Sequence, residues 1–538
     1  MKAMEDKCVL ILGAGLMQRP AIEAAQELGY KTVVADGNPH ALCAAFADRF
    51  ENIDLKDKEA LAKLALSLGD SLEGVFTAGT DFSTSVSYVA QKCGLPAHSY
   101  QAACNASNKV LMRKCFEKAS VPSPKFQQIH RNQIASFITP SVLNEIKFPM
   151  VVKPVDNMGA RGCRLVRNQE EFLPCIEDAV RNSRSGNSIF EEYMEGPEFS
   201  IDAIVYDGTI TITGFADRHI FYYPYFIEMG HTMPTVIDEK MKNELIKTFA
   251  SGIKALGLSH GVAKADIKYT AQGPMIGEIA GRLSGGYMSG WTYPYASDLN
   301  LTKQALLVAL GKEPKDLLLR RRPLAIKDSD FELYEVPCQN VSAERAWISI
   351  PGTVSRIYGG DRCASHPFVK NALFRAEAGS SVDFPRNNVE KCGNCISRAP
   401  SHELAVSSAE KAVSNIILRL EPNSTRTDAF LNGTCRSSEK GFPPDAYQLT
   451  KEQREAFDFW LSEAGIIAAG ESIEKNIPLC FKESADNLKD WNHRSIRMTA
   501  QIFDSICPNH PDLDKNVFWK ALIRGGIQGI LYVADSSL

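Results

Sequence analysis

Residues 149–166 read PMVVKPVDNMGARGCRLV. The β-branched pair Val151 and Val152 predicts a strand that delivers Lys153 at its end, and GCRLV predicts the return strand. The stretch is therefore a hairpin with a long tip holding Gly159, Arg161 and Gly162. Glycines reach backbone conformations that let main-chain amides converge on an anion, and Arg161 adds a permanent charge. The G-K-[ST] ending of a Walker loop is missing, so a phosphate gripped here needs another architecture around it.

The flanking sequence gives that architecture. Upstream, CVLILGAG, KTVVAD and GVFTAGTD read as buried parallel strands, with AIEAAQELG as a helix stopped by Gly29, which predicts a doubly wound, Rossmann-like unit. Gly13 and Gly15 begin a G-x-G-x-x-G pattern, and Asp36 stands near the place of a ribose-binding acid, but the third glycine is replaced by Gln18. A side chain there obstructs close helix-to-strand packing, which disfavours a nicotinamide dinucleotide. Downstream, SIFEEY, FSIDAIVY and TITITGFAD read as strands, the last two joined by the hairpin signal Asp207-Gly208. A helix near 238–256 precedes a second hairpin, GVAKADIKYT and PMIGEIA.

The rest of the chain bounds the function. Its 538 residues predict three or four domains, and 44% hydrophobic with 23% charged residues is the balance of a globular protein. A formal net charge of -4 gives no pull toward nucleic acid or anionic lipid, and no window offers a membrane span. Fourteen cysteines scattered along the chain fit a reducing, cytoplasmic setting. Cys392 and Cys395 form one C-x-x-C without a second, which reads as buried thiols at a turn rather than zinc. The expected divisions are 1–105, Rossmann-like; 106–327, two-lobed; 328–420, a small α+β lobe ending in a helix capped by Ser401; 421–446, a linker rich in turn formers; and 447–538, a helical domain without assigned role, entered through a Thr450–Gln453 capping box.

Five stretches, GTDFSTSVSYVAQKCGLPA, SNKVLMRKCFEKASVPSP, PMVVKPVDNMGARGCRLV, FEEYMEGPEFSIDA and KADIKYTAQGPMIGEIAGRLSGG, together resemble the ATP-grasp superfamily in its biotin carboxylase-like arrangement. The resemblance covers residues 7 to about 420 and implies an α/β fold: a Rossmann-like pre-ATP-grasp domain, a two-lobed α+β ATP-grasp domain and a small C-terminal lobe. It implies Mg²⁺ (or Mn²⁺) and ATP as cofactors. Lys109 and Lys153 would meet the nucleotide phosphates, with Gly159, Arg161 and Gly162 folding over them. Glu191 would accept from the adenine amino group, main chain near Glu192 and Met194 would meet the ring edge, and Glu198 would hold the ribose hydroxyls. Asp266 and Glu278 resemble the metal ligands, although Ala280 stands where many members have Asn. Arg282 resembles the arginine that stabilises an acyl phosphate, and His231 lies in a segment resembling the acceptor-substrate pocket.

The resemblance implies an enzyme, a ligase joining a small carboxylate to an amine (or a thiol) through an acyl phosphate, with ADP and phosphate released. RLSGG after Arg282, without the Q-V-E-H of biotin carboxylases, is similar to amino-acid ligases. A carbamoyl phosphate synthase-like or purine-pathway ligase is the alternative, and a non-catalytic ATP-binding regulator is the alternative of another class. The expected partners are small-molecule carboxylates and amines, with no nucleic acid and no membrane; a homodimer is left open.

Overall fold

The computed structural model describes residues 7–139, 145–326, 331–434, 441–463 and 465–537. Two compact units divide the chain, one of Met1–Met158, Leu165–His219 and His231–Ser342, the other of Gly159–Arg164, Ile220–Gly230 and Ala343–Leu538.

In the first unit the N-terminal apolar runs form a parallel sheet because both faces of each strand are covered. Strands β1 (Cys8–Leu12), β2 (Lys31–Asp36), β3 (Arg49–Asn52) and β4 (Leu72–Phe76) lie in the order β3-β2-β1-β4. Val9 and Ile11 enter one core, Leu10 and Leu12 the other, as a period of two requires. Helix α1 (Arg19–Glu27) stops before Gly29, whose φ of +84° suits a glycine there.

Two antiparallel sheets follow. The first has β5 (Phe126–His130), β6 (Met150–Pro154), β7 (Arg164–Val166) and β8 (Asn187–Glu192) in the order β5-β8-β6-β7. Helix α2 (Lys109–Lys118) precedes it, and helix α3 (Gln169–Asn182) covers it, capped by Asn168, whose Oδ1 accepts from the Glu171 amide at 3.1 Å. The other runs β13-β12-β9-β10, built from β9 (Glu198–Tyr206), β10 (Thr209–Phe221), β12 (Gly261–Thr270) and β13 (Gly273–Ala280), while β11 (Ile227–Met233) carries His231. Asp207 and Gly208 take φ of +49° and +73°, the two left-handed residues a tight hairpin turn demands. One face of this sheet packs Ile201, Ile267, Ile276 and Ile279 against helix α4 (Glu239–Leu256). Each isoleucine is fully buried, which stabilises the fold by roughly 1.5–3 kcal/mol per side chain. The opposite face is left for charge.

In the second unit the strand Gly352–Tyr358 pairs antiparallel with Ile417–Leu420. The helix expected up to residue 420 ends at Ser414 instead, because the chain passes into a buried strand that begins at the β-branched Ile417, whose stiff side chain fits better there. A helix, Thr425–Leu431, capped by Ser424 and anchored by the buried Phe430, lies within the stretch expected as a linker. The Thr450–Gln453 capping box opens the helix Lys451–Leu461 as its spacing indicates. One core joins Trp347, Val354, Leu420, Phe430, Phe457 and Trp519, so the tail shares its interior with the lobe before it. The expected boundary between 327 and 328 lies outside the described residues.

Candidate functional site

The polar face of the first unit's antiparallel strands is assembled by alternation. Lys264, Asp266 and Lys268 sit at i, i+2 and i+4 of β12 and so project to one side. Asp266 stands directly opposite Glu278 of β13 in the register. Two unscreened carboxylates so placed repel, and here each has a cation: Lys264 pairs with Asp266, Arg218 reaches Asp266 at 2.6 Å, and Lys109 reaches Glu278 at 3.6 Å.

Lys109 occupies the first position of α2, where an ammonium opposes the helix dipole. It is buried nonetheless, held by Glu278 and by donation to the Asn157 carbonyl at 3.2 Å. Withdrawal from water pushes the Glu278 carboxyl up, but the fields of Lys109, Lys264, Lys153 and Arg282 outweigh it and set it at about 2.

Lys153, near the end of β6, pairs with Glu191 at 2.6 Å, and Arg113 takes the other oxygen at 2.8 Å. Arg113 also donates to the Gly277 carbonyl at 2.6 Å, so it ties α2 to both strand systems. Burial raises the Glu191 carboxyl, yet Arg113 and Lys153 together bring it below the ordinary range. Next along the chain, Glu192 donates its amide to the Lys125 carbonyl at 3.1 Å, and the Met194 carbonyl accepts from Lys268 at 3.1 Å. Glu198 meets Arg218 at 2.6 Å and Lys268 at 3.4 Å.

Arg282 follows β13. Its Nη1 donates to the Leu283 carbonyl at 3.0 Å, and its Nε lies 3.9 Å from Asp81, buried and without a hydrogen-bond partner. A buried guanidinium donor left over in this way is a ready contact for an anion. His231 is fully buried, its Nε2 2.7 Å from the Thr292 hydroxyl, so it stands behind the π-helical turn Met288–Thr292 rather than at an open surface. Gly159, Arg161 and Gly162 fall in the second unit. There Gly159, Ala160 and Gly162 take φ of +69°, +60° and +68°, and the Gly159 carbonyl accepts from the Asn388 amide at 3.0 Å.

Sequence reasoning missed Arg113, Arg218, Lys264, Lys268 and the buried Asp202. The signals were present for three of them: Arg113 is four residues after Lys109 on one helix, and KADIK alternates charge along one strand. Arg218 and Asp202 carried none. Asp202 accepts from the Ser284 amide at 3.1 Å and from its hydroxyl, and burial raises its carboxyl to about 6. Asp36, a ribose acid in the disfavoured reading, accepts from the amides of Ala14 at 2.7 Å and Asn38 at 2.8 Å.

The cations Lys109, Arg113, Lys153, Arg218, Lys264, Lys268 and Arg282 outnumber the carboxylates Glu191, Glu198, Asp266, Glu278 and Asp81 among these pairs. These pairs leave an excess of positive charge on the wall. Asp266 and Glu278 are also the pair that fits a hard divalent cation, which binds through one or two carboxylates and completes its shell with phosphate oxygens and water. Among the described residues no group of three or more His, Cys, Asp or Glu side chains forms a fuller metal cage. The described cysteines are free, and Cys392 and Cys395 are buried. Among the described residues no helix is long and apolar enough to cross a membrane.

Residues 146–290 match the ATP-grasp domain, and residues 346–421 match L-amino acid ligase C-terminal domain 2. The chain is similar to protein y4rH of Sinorhizobium fredii, 24% identical over 79% of this chain and 85% of that one. It is also similar to carnosine synthase 1 of Homo sapiens, 26% identical over 58% of this chain and 40% of that one, so it spans less than half of that relative. Among solved structures, the L-amino acid ligase from Bacillus licheniformis shares the fold with a TM-score of 0.64 at 17% identity, over 77% of this chain and 99% of that one. The chain thus carries an ATP-grasp domain followed by an L-amino acid ligase C-terminal domain.

Proposed function

We propose that the protein is an ATP-dependent carboxylate–amine ligase that activates a small carboxylic or amino acid as its acyl phosphate, passes the acyl group to an amine, and releases ADP and phosphate. The observation that carries this reading is the excess of fixed cations around two opposed carboxylates on β12 and β13, beside an arginine with an unused buried donor. The L-amino acid ligase domain supports an amino acid as the carboxylate substrate.

In this reading Lys109 and Lys153 neutralise the triphosphate and fix its direction. Glu191, whose two oxygens carry Lys153 and Arg113, sets the lysine in place. The main chain of Glu192 and Met194 meets the ring edge, and Glu198 takes the ribose hydroxyls. Asp266 and Glu278 would hold Mg²⁺ or Mn²⁺, which when bound would supply positive charge against the phosphates. Arg282 offers Nε to the anionic oxygens that form when the substrate carboxylate attacks the γ-phosphate. His231 shapes the acceptor pocket through the turn it supports. Catalysis is then positioning and charge neutralisation, with no covalent enzyme intermediate.

The deciding experiment is release of ADP and phosphate across a panel of amino acids and small carboxylates, with hydroxylamine present to trap an acyl phosphate. A hydroxamate is expected with at least one member, and Arg282→Ala is expected to abolish it while nucleotide binding persists. Nucleotide binding with no turnover across the panel would instead mark a non-catalytic ATP-binding protein.

A further inference from the structure

We propose that Gln18 is a positioning residue for the reaction, a side chain that sets the loop carrying Asp81 against the loop carrying Arg282; the proposal rests on the ligase reading for its catalytic consequence, though not for its geometry. Gln18 stands where a nucleotide-binding turn of the dinucleotide kind has glycine, and it is fully buried with its amide fully used. Its Oε1 accepts from the Ala78 amide at 2.8 Å, and its Nε2 donates to the Ala78 carbonyl at 3.0 Å and lies 3.2 Å from the Thr80 hydroxyl. A primary amide engaging the N–H and the C=O of one residue fixes the two peptide planes on either side of it as a strand partner would. Thr77 reinforces it, donating to the Leu12 carbonyl at 2.8 Å with its hydroxyl 2.8 Å from that of Thr80.

The pinned segment touches the catalytic arginine's loop at its backbone. A Cβ on Gly79 would lie 3.2 Å from both Gly285 Cα and the Ser284 carbonyl oxygen, and a Cβ on Gly285 would lie 3.2 Å from the Gly79 carbonyl oxygen. The two loops are therefore in main-chain contact at Gly79 and Gly285, with Met17 Cβ packed against the same point. On the far side Asp202 holds Ser284 by its amide and hydroxyl. The pair Asp81 and Arg282 sits just beyond, at 3.9 Å, outside hydrogen-bond distance. Gln18 on one side and Asp202 on the other thus determine how far Asp81 stands from Arg282 Nε. At this spacing the carboxylate orients the guanidinium by its charge and leaves Nε available to substrate. The residue that disfavours a dinucleotide is here the residue that serves the ligase.

The test uses the full chain with Gln18→Met, which keeps the volume and removes every hydrogen bond of the amide, and Gln18→Glu, which keeps the acceptor for the Ala78 amide. Hydrogen exchange is read by mass spectrometry in the segments 78–81 and 284–286, alongside MgATP affinity and hydroxamate yield on the amino-acid panel. For Gln18→Met the expected result is exchange faster by about tenfold in both segments, unchanged exchange in β1, unchanged MgATP affinity, and hydroxamate yield lower by about tenfold or more. Gln18→Glu is expected to recover part of each loss. Faster exchange in 78–81 alone, or hydroxamate yield that stays at the wild-type value, would overturn the proposal. If Gln18→Met does not fold, Gln18→Glu alone decides by the same two readouts. If the wild-type chain yields no hydroxamate at all, the ligase reading fails, and the exchange in 284–286 still decides whether Gln18 sets that loop.

Discussion

Lys153 and Glu191 meet at 2.6 Å across the neighbouring strands β6 and β8, and the carboxylate's second oxygen is held by Arg113 at 2.8 Å. In the register Lys153 faces Ile189, so the pair is a diagonal contact, two residues off, that a long lysine spans. All three side chains are withdrawn from water, Arg113 and Glu191 almost completely. Removing the shared acid strands two cations in the interior. Glu191→Ala is therefore expected to lower stability in urea unfolding by about 3–5 kcal/mol, the range for breaking a buried pair from one side. A loss under 1 kcal/mol would show that the two cations find other partners.

For Lys109 and Lys153, proposed to meet the phosphates, the expected effect is on binding. A charge-assisted hydrogen bond contributes about 1.5–3 kcal/mol, so Lys109→Met and Lys153→Met should each weaken MgATP by about 10- to 100-fold in calorimetry. Lys109→Met has a second consequence, because it removes the largest influence holding Glu278 at about 2. In the wild-type chain Glu278 stays ionised throughout the neutral and mildly acid range, and Mn²⁺ binding measured from pH 5 to 8 should show no limb from this group. Without Lys109 the carboxyl rises, and affinity for Mn²⁺ should begin to fall at the acid end. A flat profile in both chains would remove Lys109 as the controlling charge.

Much of this was legible in the sequence, and the parts that were not have physical reasons. The parallel N-terminal sheet and the Asp207-Gly208 turn follow from burial on two faces and from the backbone a tight hairpin needs, whereas the strand Arg49–Asn52 and the strand order were not read. The opposed placement of Asp266 and Glu278 also matches the hairpin expected around AQGP. What one-dimensional reading lacks is partner choice. Glu191 reads as an acid open to a ligand, yet it is enclosed by Arg113 from a helix 78 residues earlier. His231 reads as a pocket residue, yet the strand turns its ring inward to Thr292. Ile416 and Ile417 continue a helical pattern by hydrophobicity alone, and the strand Gly352–Tyr358, remote in sequence, decides otherwise.

Arg282 offers a planar fork with one buried donor unused, so charge alone does not reproduce it. Arg282→Lys keeps the charge and loses the fork. It should therefore lower the rate of hydroxamate formation by about 10²–10³, the usual cost of removing one preorganised donor, with the KM for ATP within about threefold of wild type. A lysine variant with a near-normal rate would reduce the role of this side chain to simple charge.

Asp202 gives the prediction in which sign matters most. Burial raises its carboxyl from 3.8 to about 6, partly offset by the hydroxyl and amide of Ser284 and by the charges of Lys264 and Arg282. The folded state therefore binds its proton more tightly than the unfolded chain does. The resulting stabilisation is complete below about pH 4 and is lost as pH rises through about 6, where the buried group must ionise. From the shift, the contribution is about 3 kcal/mol. Glu191 and Glu278 have depressed values and run the other way, so the wild-type curve alone mixes opposite trends. Asp202→Asn isolates the effect: subtracting its unfolding free energy from that of wild type at each pH should give a difference that falls between pH 4 and 7 and levels above. A difference that stays constant with pH would mean Asp202 is ionised in the folded protein throughout, with Lys264 and Arg282 compensating it fully. In that case the loop bearing Ser284 and Arg282 would be anchored by charge rather than by a shared proton, and Asp202→Asn would loosen it at every pH.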